Sequence, residues 1–244
     1  MVRATELTAR SSERTFFTAM TASMALIVFA GFARTYYLRP LVPLSSLPGP
    51  LTPLIHAHGV VFTVWMLLLV LQARLVAKGN VRLHRRIGLF SISLAILLVG
   101  IGTATALHAV LRGVAPPGVD ARQFLVVPLF ALLVFGVLYT AALICRHRPQ
   151  AHKRLMLLAT IGLLPPALAR WIVFYLGFGP PVVLALTTLF VVPLVIWDFR
   201  TRGRLHPATL WGGLFLVMSI PIRLAIAFTE SWLAIADRAV ALVR

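Results

Sequence analysis

Three histidines lie inside long apolar stretches of the sequence, where they are the residues most able to ligate a metal or a cofactor. They are His56, His58 and His108, and the other four histidines lie in or beside basic loops. His58 and His108 flank a loop centred near residue 81, so in two antiparallel helices their depths would differ by only about 6 Å. Two imidazoles that face each other across a helix pair are the axial ligand set of a low-spin haem. The spacing therefore predicts a haem b site formed by His58 and His108 in the outer half of a helix bundle.

The same histidines could instead bind a copper or zinc ion, with His56 as the third donor beside His58 and His108. His56 and His58 are two residues apart, so on a regular helix their side chains point about 200° apart. They could share a metal only if an irregular first turn after Pro53 redirects one of the rings.

A stripe of residues that continues from His58 indicates which face of this helix meets protein. His58, Phe62, Trp65, Leu69 and Gln72 follow one another at helical spacing. Trp65 and Gln72 carry hydrogen-bonding groups, and such groups in a membrane span normally face protein rather than lipid. The stripe either contacts the cofactor, with Trp65 and Gln72 beside it, or is a packing surface whose histidines are hydrogen-bonded.

Three arginines form the second set of residues that could do chemistry. Arg170 and Arg223 lie deep in apolar stretches, and Arg34 lies near the outer end of the first stretch. A charge at such depth is costly without a partner, and the acidic residue nearest in sequence to any of these arginines is Glu230, seven residues beyond Arg223. The excess of positive charge predicts an anionic guest: haem propionates, a quinone-like head group, a lipid phosphate or a carboxylate. Snorkelling toward lipid head groups is the alternative, above all for Arg34.

Prolines stand close to both deep arginines. Pro165 and Pro166 precede Arg170, and Pro221 precedes Arg223. Each proline removes a backbone hydrogen bond inside a helix and allows a kink. Kinks would open space for a ligand beside the arginines, although proline is also common in membrane helices for packing reasons.

The candidate histidines and arginines can come together only if the apolar stretches that carry them form helices across a membrane. The composition of the chain predicts such helices. The 244 residues are 60% hydrophobic and 12% charged, whereas a soluble domain has about 25% charged residues. A spanning helix needs about 20 mostly apolar residues. Seven segments meet this requirement, which predicts an all-α polytopic membrane helix bundle. They are 15–38, 53–77, 87–112, 123–145, 155–178, 181–199 and 209–230.

The basic residues predict how the bundle is oriented. Most of the 23 lysines and arginines lie in the N-terminal segment and in the loops after the second, fourth and sixth helices. The positive-inside rule then places the N-terminus in the cytoplasm and the C-terminus outside, in a bacterial inner membrane. Residues 1–14 are predicted to be a cytoplasmic segment, 15–230 a single transmembrane domain, and 231–244 an amphipathic or helix-extending tail.

Asp198 is an isolated acidic residue at the cytoplasmic end of the sixth segment. Three arginines follow it closely in the sequence, namely Arg200, Arg202 and Arg204. The prediction for Asp198 is therefore a local ion pair, and no second acidic residue supports a proton relay.

Four motifs in the chain are similar to motifs of known membrane proteins. They are His56-Ala57-His58-Gly59, Trp65 with Gln72, Leu83-His84-Arg85-Arg86-Ile87-Gly88, and His206-Pro207-Ala208-Thr209-Leu210-Trp211-Gly212-Gly213. Over about residues 34 to 232 the chain resembles a family of uncharacterised bacterial multi-pass membrane proteins. It is more loosely similar to haem-binding helical membrane proteins of the cytochrome b561 kind. Unlike those proteins, it lacks two clear histidine pairs on four central helices.

Two functions from different classes follow from these patterns. In the first, His58 and His108 ligate haem b, while Arg170 and Arg223 hold its propionates or a quinone. In the second, the chain is a non-enzymatic accessory subunit, assembly factor or carrier whose arginines contact lipid or a small anion. As an accessory subunit it would belong to a larger membrane complex. A transporter is a third option, weakened by the scarcity of acidic residues inside the segments. The net charge of +17 does not indicate nucleic-acid binding, because the basic residues lie in short loops.

Overall fold

The computed structural model describes residues 2–43, 50–116 and 118–242, without the side chains of 2–10, 174, 175 and 180. Throughout these ranges the secondary structure is helical, and no strand occurs in them. The helices are α1 Val2–Phe32, α2 Pro53–Ala77, α3 Val81–Leu111, α4 Ala121–Ile144, α5 Pro149–Ile161, α6 Pro165–Leu176, α7 Pro180–Thr188, α8 Val192–Arg202, α9 Pro207–Ala227 and α10 Glu230–Ala241. A π-helical turn, Ala33–Tyr37, continues α1, and short 3-10 turns occupy Arg39–Leu41 and Cys145–His147.

By length and composition, six helical stretches of the described chain are able to cross a membrane. They are Ser11–Tyr37, Pro53–Ala77, Val81–Leu111, Ala121–His147, Pro181–Arg202 and Pro207–Ala227. A seventh is possible if Pro149–Ile161 and Pro165–Val173, which meet at 40°, form one bent span. The predicted all-α class is confirmed, and the six apolar helices are consistent with the predicted multi-pass bundle. The sides on which the termini lie remain a prediction.

The fifth and sixth predicted segments are each divided into two helices. α5 ends at Ile161 and α6 starts at Pro165, while α7 ends at Thr188 and α8 starts at Val192 with Pro193 as its second residue. A proline has no N–H to donate, and its ring clashes with the carbonyl four residues earlier, so a new helix begins near it. The bend expected before Arg170 is therefore present. Pro221, in contrast, lies inside an unbroken α9.

The chain forms two compact units, residues 1–98 and residues 99–244, with the boundary inside α3. In the first unit α1 packs against α2, and Met24 and Trp65 are among the side chains that the packing buries. In the second unit α4 packs against both α5 and α9, and Phe135 and Leu158 are completely buried there.

In the first unit two adjacent tyrosines of the π-helical turn fasten α1 to α2. The Tyr37 hydroxyl is 2.7 Å from the Thr63 hydroxyl, and the Tyr36 hydroxyl donates to the His56 carbonyl at 3.2 Å. The Tyr36 ring lies directly on Gly59, where an added Cβ would be 2.5 Å from the ring carbon Cζ. Gly59 thus has a steric role, which gives a physical reason for the glycine in the His-Ala-His-Gly motif.

Replacing Gly59 with alanine should lower the stability of the first unit. The new methyl group has no room while the Tyr36 hydroxyl stays bonded to His56, so we expect a loss of about 1–3 kcal/mol. Gly100→Ala, in the second unit, is the control for a glycine-to-alanine change in a helix, because an added Cβ at this α3 position meets nothing within 4 Å. Thermal unfolding of the detergent-solubilised variants measures the effect. A midpoint for Gly59→Ala equal to that of Gly100→Ala would contradict the steric account.

The predicted C-terminal tail is a separate helix, α10, rather than an extension of α9. Thr229 begins it as an N-cap, and its hydroxyl accepts from the Trp232 amide at 3.2 Å. The Trp232 indole N–H donates to the Arg122 carbonyl at 3.0 Å, and Ala236 is fully buried in a small cluster with Leu125. α10 therefore packs onto the start of α4 within the second unit.

Candidate functional site

The structure places two of the predicted histidine ligands on the first turns of α2. The helix starts regularly at Pro53, and the Thr52 hydroxyl caps it by accepting from the Ile55 amide at 3.3 Å. The irregular first turn that would bring the His56 and His58 rings together is not observed. His56 is exposed with its ring 5.8 Å from the Tyr36 ring, and the His58 ring stacks on Phe62 at 4.2 Å.

His108 lies near the end of α3, in the second unit. Its ring nitrogen Nδ1 is buried and has no hydrogen-bond partner within the described part of the chain. His58 belongs to the first unit and His108 to the second, so their joint ligation of a haem stays a prediction. No group of three or more His, Cys, Asp or Glu side chains suited to a metal ion occurs in residues 2–43, 50–116 and 118–242.

Trp65 and Gln72, the two residues of the histidine stripe that were predicted to lie beside a cofactor, have structural contacts in the first unit. Trp65 is 2% exposed and belongs to the core. With its amide nitrogen toward His84, Gln72 donates to His84 Nδ1 at 2.6 Å and accepts from the Gly88 amide at 2.9 Å. Gln72 therefore links α2 to the start of α3. This contact also gives His84 and Gly88 of the Leu-His-Arg-Arg-Ile-Gly motif a packing role.

The three predicted arginines differ sharply in their environments. Arg34 is exposed on the π-helical turn of the first unit. Arg170 is half-buried on α6, and its Nη1 donates to the Pro166 carbonyl at 2.6 Å. Arg223 on α9 is 2% exposed, the most buried of the three. Arg170 and Arg223 both belong to the second unit, whereas Arg34 does not.

Arg223 has some but not all of its donors satisfied. Its Nε donates to the Ser219 carbonyl at 3.0 Å, and its Nη2 donates to the Ser219 hydroxyl at 2.6 Å. Its Nη1 is buried and has no hydrogen-bond partner among the residues that the structure describes. A guanidinium presents five N–H donors and no acceptor, so a further acceptor is needed on the Nη1 side.

A small cavity lies beside Arg223. It has a volume of about 10 Å³, which is close to the minimum that a cavity needs to hold one water molecule. The two helix breaks contribute to its wall through Gly162 and Pro165 on one side and Thr187 and Thr188 on the other. The two threonine hydroxyls donate back to carbonyls of their own helix, Val183 and Ala185, which leaves their oxygens as acceptors only.

A second buried polar cluster in the same unit was not predicted. Arg154 on α5 is 1% exposed and Asp198 on α8 is fully buried, and both Nε and Nη2 of Arg154 donate to Asp198 Oδ1. Arg154 Nη1 donates to the Gln150 carbonyl at 2.9 Å and to its side-chain oxygen at 2.6 Å. The other carboxylate oxygen of Asp198 accepts from the His206 amide at 3.0 Å.

The predicted pairing of Asp198 with its sequence neighbours is therefore wrong. Arg200, Arg202 and Arg204 are exposed, and the partner of Asp198 is Arg154, which is 44 residues earlier in the chain. A buried carboxylate needs a partner that is also buried, and an arginine in the exposed turn after the helix cannot supply one. One feature of the sequence was compatible with this pairing, namely that Arg154 and Asp198 both lie at the predicted cytoplasmic ends of their helices.

Removing the charge of Asp198 should be strongly destabilising. In Asp198→Asn the guanidinium of Arg154 stays buried without a counter-ion, which costs about 3–5 kcal/mol in comparable pairs. The double variant Asp198→Asn with Arg154→Met should recover a large part of that loss, because no unpaired charge remains. Denaturant midpoints of the two variants test this. Equal midpoints for Asp198→Asn and the unmodified protein would show that the pair contributes nothing.

His206 joins this cluster to the start of α9. Its Nδ1 accepts from the Ala208 amide at 3.0 Å, so His206 caps α9 with a neutral ring. Burial lowers the pKa of His206, and the charges of Arg154, Arg202 and Lys153 lower it further against the opposing effect of Asp198. Protonation would remove the acceptor that caps the helix.

Stability of the second unit should therefore depend on pH through His206. Because the folded-state pKa lies below the unfolded value of about 6.5, the stabilisation is complete above about pH 6.5 and is lost as pH falls through the folded-state pKa. We expect the unfolding midpoint to drop between about pH 7.5 and about pH 5.5. His206→Asn keeps a capping acceptor that does not titrate, so its midpoint should fall less over the same range. Identical pH profiles for the two proteins would contradict this role.

The two buried arginines of the second unit thus differ in one respect. Arg154 has a carboxylate partner, whereas the acceptors of Arg223 among the described residues are the neutral oxygens of Ser219. No family model, no curated protein and no solved structure matches the chain. The site is accordingly defined by its geometry, and Arg223 with its cavity is the candidate.

Proposed function

We propose that the chain is a multi-pass integral protein of a bacterial inner membrane whose second unit binds a small anion, or the acidic end of a larger ligand, at Arg223. The observation that carries this proposal is the buried Nη1 of Arg223, which has no partner within the described residues. A buried donor left unsatisfied costs about 1–3 kcal/mol, and more when it is charged. An ionisable residue at such depth in a membrane protein is by default a functional residue with a partner.

The charge of Arg223 favours an anion over a neutral ligand. The ion pairs found among the described residues involve Arg122 and Arg154, and none of them involves Arg223. A water molecule in the cavity would accept a hydrogen bond but would leave the charge uncompensated. An anion supplies both an acceptor and the opposite charge, which is why guanidinium groups are the common binders of carboxylate and phosphate oxygens.

The size of the cavity limits what reaches Arg223. A volume of about 10 Å³ has room for about one heavy atom, such as a chloride ion or one oxygen of formate or of a longer acid. A porphyrin or quinone ring is far larger, so only an acidic or polar end of such a ligand fits here. Gly162 contributes to this fit, because an added Cβ would lie 3.3 Å from the Ala159 carbonyl oxygen and 3.4 Å from Leu216.

Anion-dependent thermal stability tests the proposal. At constant ionic strength, chloride or formate should raise the unfolding midpoint of the detergent-solubilised protein relative to gluconate, whose bulky, hydroxylated chain cannot follow its carboxylate between the apolar helices to this small cavity. At ten times Kd the expected rise is about 3–6 °C. Arg223→Gln should abolish the rise, whatever its own midpoint. Arg202→Gln, at an exposed position of the same unit, should retain the rise.

Two results would overturn the proposal. One is an equal rise in Arg223→Gln and in the unmodified protein, which would place the anion elsewhere. The other is the same midpoint in chloride, formate and gluconate at every concentration, which would leave Arg223 as a purely structural residue bonded to Ser219.

Haem b is the second candidate, favoured by the buried Nδ1 of His108 that has no partner in the described chain. When bound, haem b supplies reversible one-electron transfer. His58 and His108 would hold the iron, and Arg170 and Arg223 would contact a propionate or, if a quinone binds instead, its head group. His56 remains the alternative third donor for a bare metal ion.

The visible absorption spectrum of the purified protein, before and after reduction, tests this second candidate. We expect a reducible haem spectrum with near-stoichiometric iron, and its loss in His58→Ala and in His108→Ala. A colourless protein without iron, copper or zinc would retire the cofactor and leave an accessory subunit or carrier that binds an anion. Retention of the spectrum in both variants would show that other residues hold the haem.

A further inference from the structure

A groove of about 600 Å³ opens in the second unit where α4 ends and where α5 and α9 start. Its volume lies in the range of about 300–1,000 Å³ that is usual for sites of small molecules. It does not involve Arg223, so it is separate from the proposed anion site. The residues that give it chemical character are Cys145, Arg148, Gln150, Leu155, His206 and Trp211.

The His-Pro-Ala-Thr-Leu-Trp-Gly-Gly motif builds one wall of this groove. His206, Ala208 and Trp211 line it, while Gly212 faces the opposite way, into the packing against α5. An added Cβ at Gly212 would lie 2.9 Å from Leu158 Cδ1, so only glycine lets α9 approach α5 this closely. The motif therefore fixes α9 in place and presents its first turn to the groove.

The polar groups of the groove are suited to an anion. Arg148 is exposed, and the residues that line the groove include no carboxylate. Because Nδ1 of His206 accepts from the Ala208 amide, the proton of this neutral ring is on Nε2, which can only donate. Nearby, Gln150 is held by Arg154, whose charge is already balanced by Asp198. Arg148 is thus the uncompensated charge among the groove residues.

An apolar surface continues from the groove along α9. Trp211 is 66% exposed, Phe215 40%, Met218 44% and Ile222 50%, and their spacing places them on one face of the helix. This face starts at the groove and runs along a helix that is long and apolar enough to span a membrane. A ligand that fits both features has an anionic head and a long hydrocarbon part.

We infer that the groove binds the head group of an anionic phospholipid, with the acyl chains lying along the exposed face of α9. The inference depends on the chain being a membrane protein but not on the anion site at Arg223. Basic pockets between spanning helices are common sites for anionic lipid head groups, and tryptophan is enriched at the same interfacial level. The charge of Arg148 selects an anionic head group, and Trp211 contacts the acyl chain of the same lipid.

Quenching of Trp211 fluorescence by brominated acyl chains tests this inference in vesicles of four parts phosphatidylcholine to one part phosphatidylglycerol. One sample has bromine on the phosphatidylcholine, another on the phosphatidylglycerol, and Trp211→Phe isolates the signal of Trp211 from that of the other tryptophans. We expect the quenching to show phosphatidylglycerol enriched about five-fold at Trp211 relative to its share of the vesicle lipid. Arg148→Gln should reduce this preference to almost none.

Arg146→Gln is the matched control for the neighbouring charge. Arg146 is also exposed, but its Nη1 donates to the Leu143 carbonyl at 3.4 Å and it does not line the groove, so the preference should persist. Quenching in proportion to composition, or an equal loss in both arginine variants, would overturn the inference. Inorganic phosphate at millimolar concentration should not reduce the preference. If phosphate did abolish it, the groove would be assigned to a free phosphate instead of a lipid.

Discussion

The second unit depends on the buried contact between Arg154 and Asp198. Two charges removed from water are stable only if their remaining hydrogen-bonding groups are also satisfied, and here Gln150 and the His206 amide complete the set. The four residues come from α5, from α8 and from the cap of α9, so one cluster sets the relation of three helices. α9 then carries both the Trp211 face and Arg223, and their positions follow from the way this cluster holds the start of the helix.

The comparison with Arg154 is what identifies Arg223 as a candidate ligand-binding residue. Both arginines are almost completely buried in the same unit, yet among the described residues a carboxylate pairs with Arg154 and none with Arg223. The Arg223 guanidinium is bonded to Ser219 on its own helix and faces a cavity between two broken spans. A fold that balances one buried charge so fully and leaves the other unbalanced is consistent with a ligand at the second. The helix breaks at Pro165 and Pro193 are what make room for it.

Part of the fold and part of the candidate site could be predicted from the sequence, for reasons that differ from residue to residue. The bounds of α2 were predicted at 53–77 and observed at Pro53–Ala77, because the apolar stretch between Pro53 and the basic loop that follows has the length of one spanning helix. Arg223 was found because a charge in an apolar stretch is visible without any structure. The partner of Asp198 was not found, since a contact over 44 residues depends on packing. Nor does sequence alone say that Pro165 begins a new helix while Pro128 and Pro221 stay inside theirs. The pairing of His58 with His108 stays a prediction.

The central claim is that Arg223 is the counter-charge of a bound anion. An experimental structure determined in bromide, with anomalous scattering used to locate the ion, examines that claim most directly. The account predicts a bromide peak in the cavity at hydrogen-bonding distance from Nη1 of Arg223, between the breaks at Pro165 and Thr188. A cavity that holds only water, or an Arg223 whose Nη1 is paired with a carboxylate of the protein itself, would contradict it.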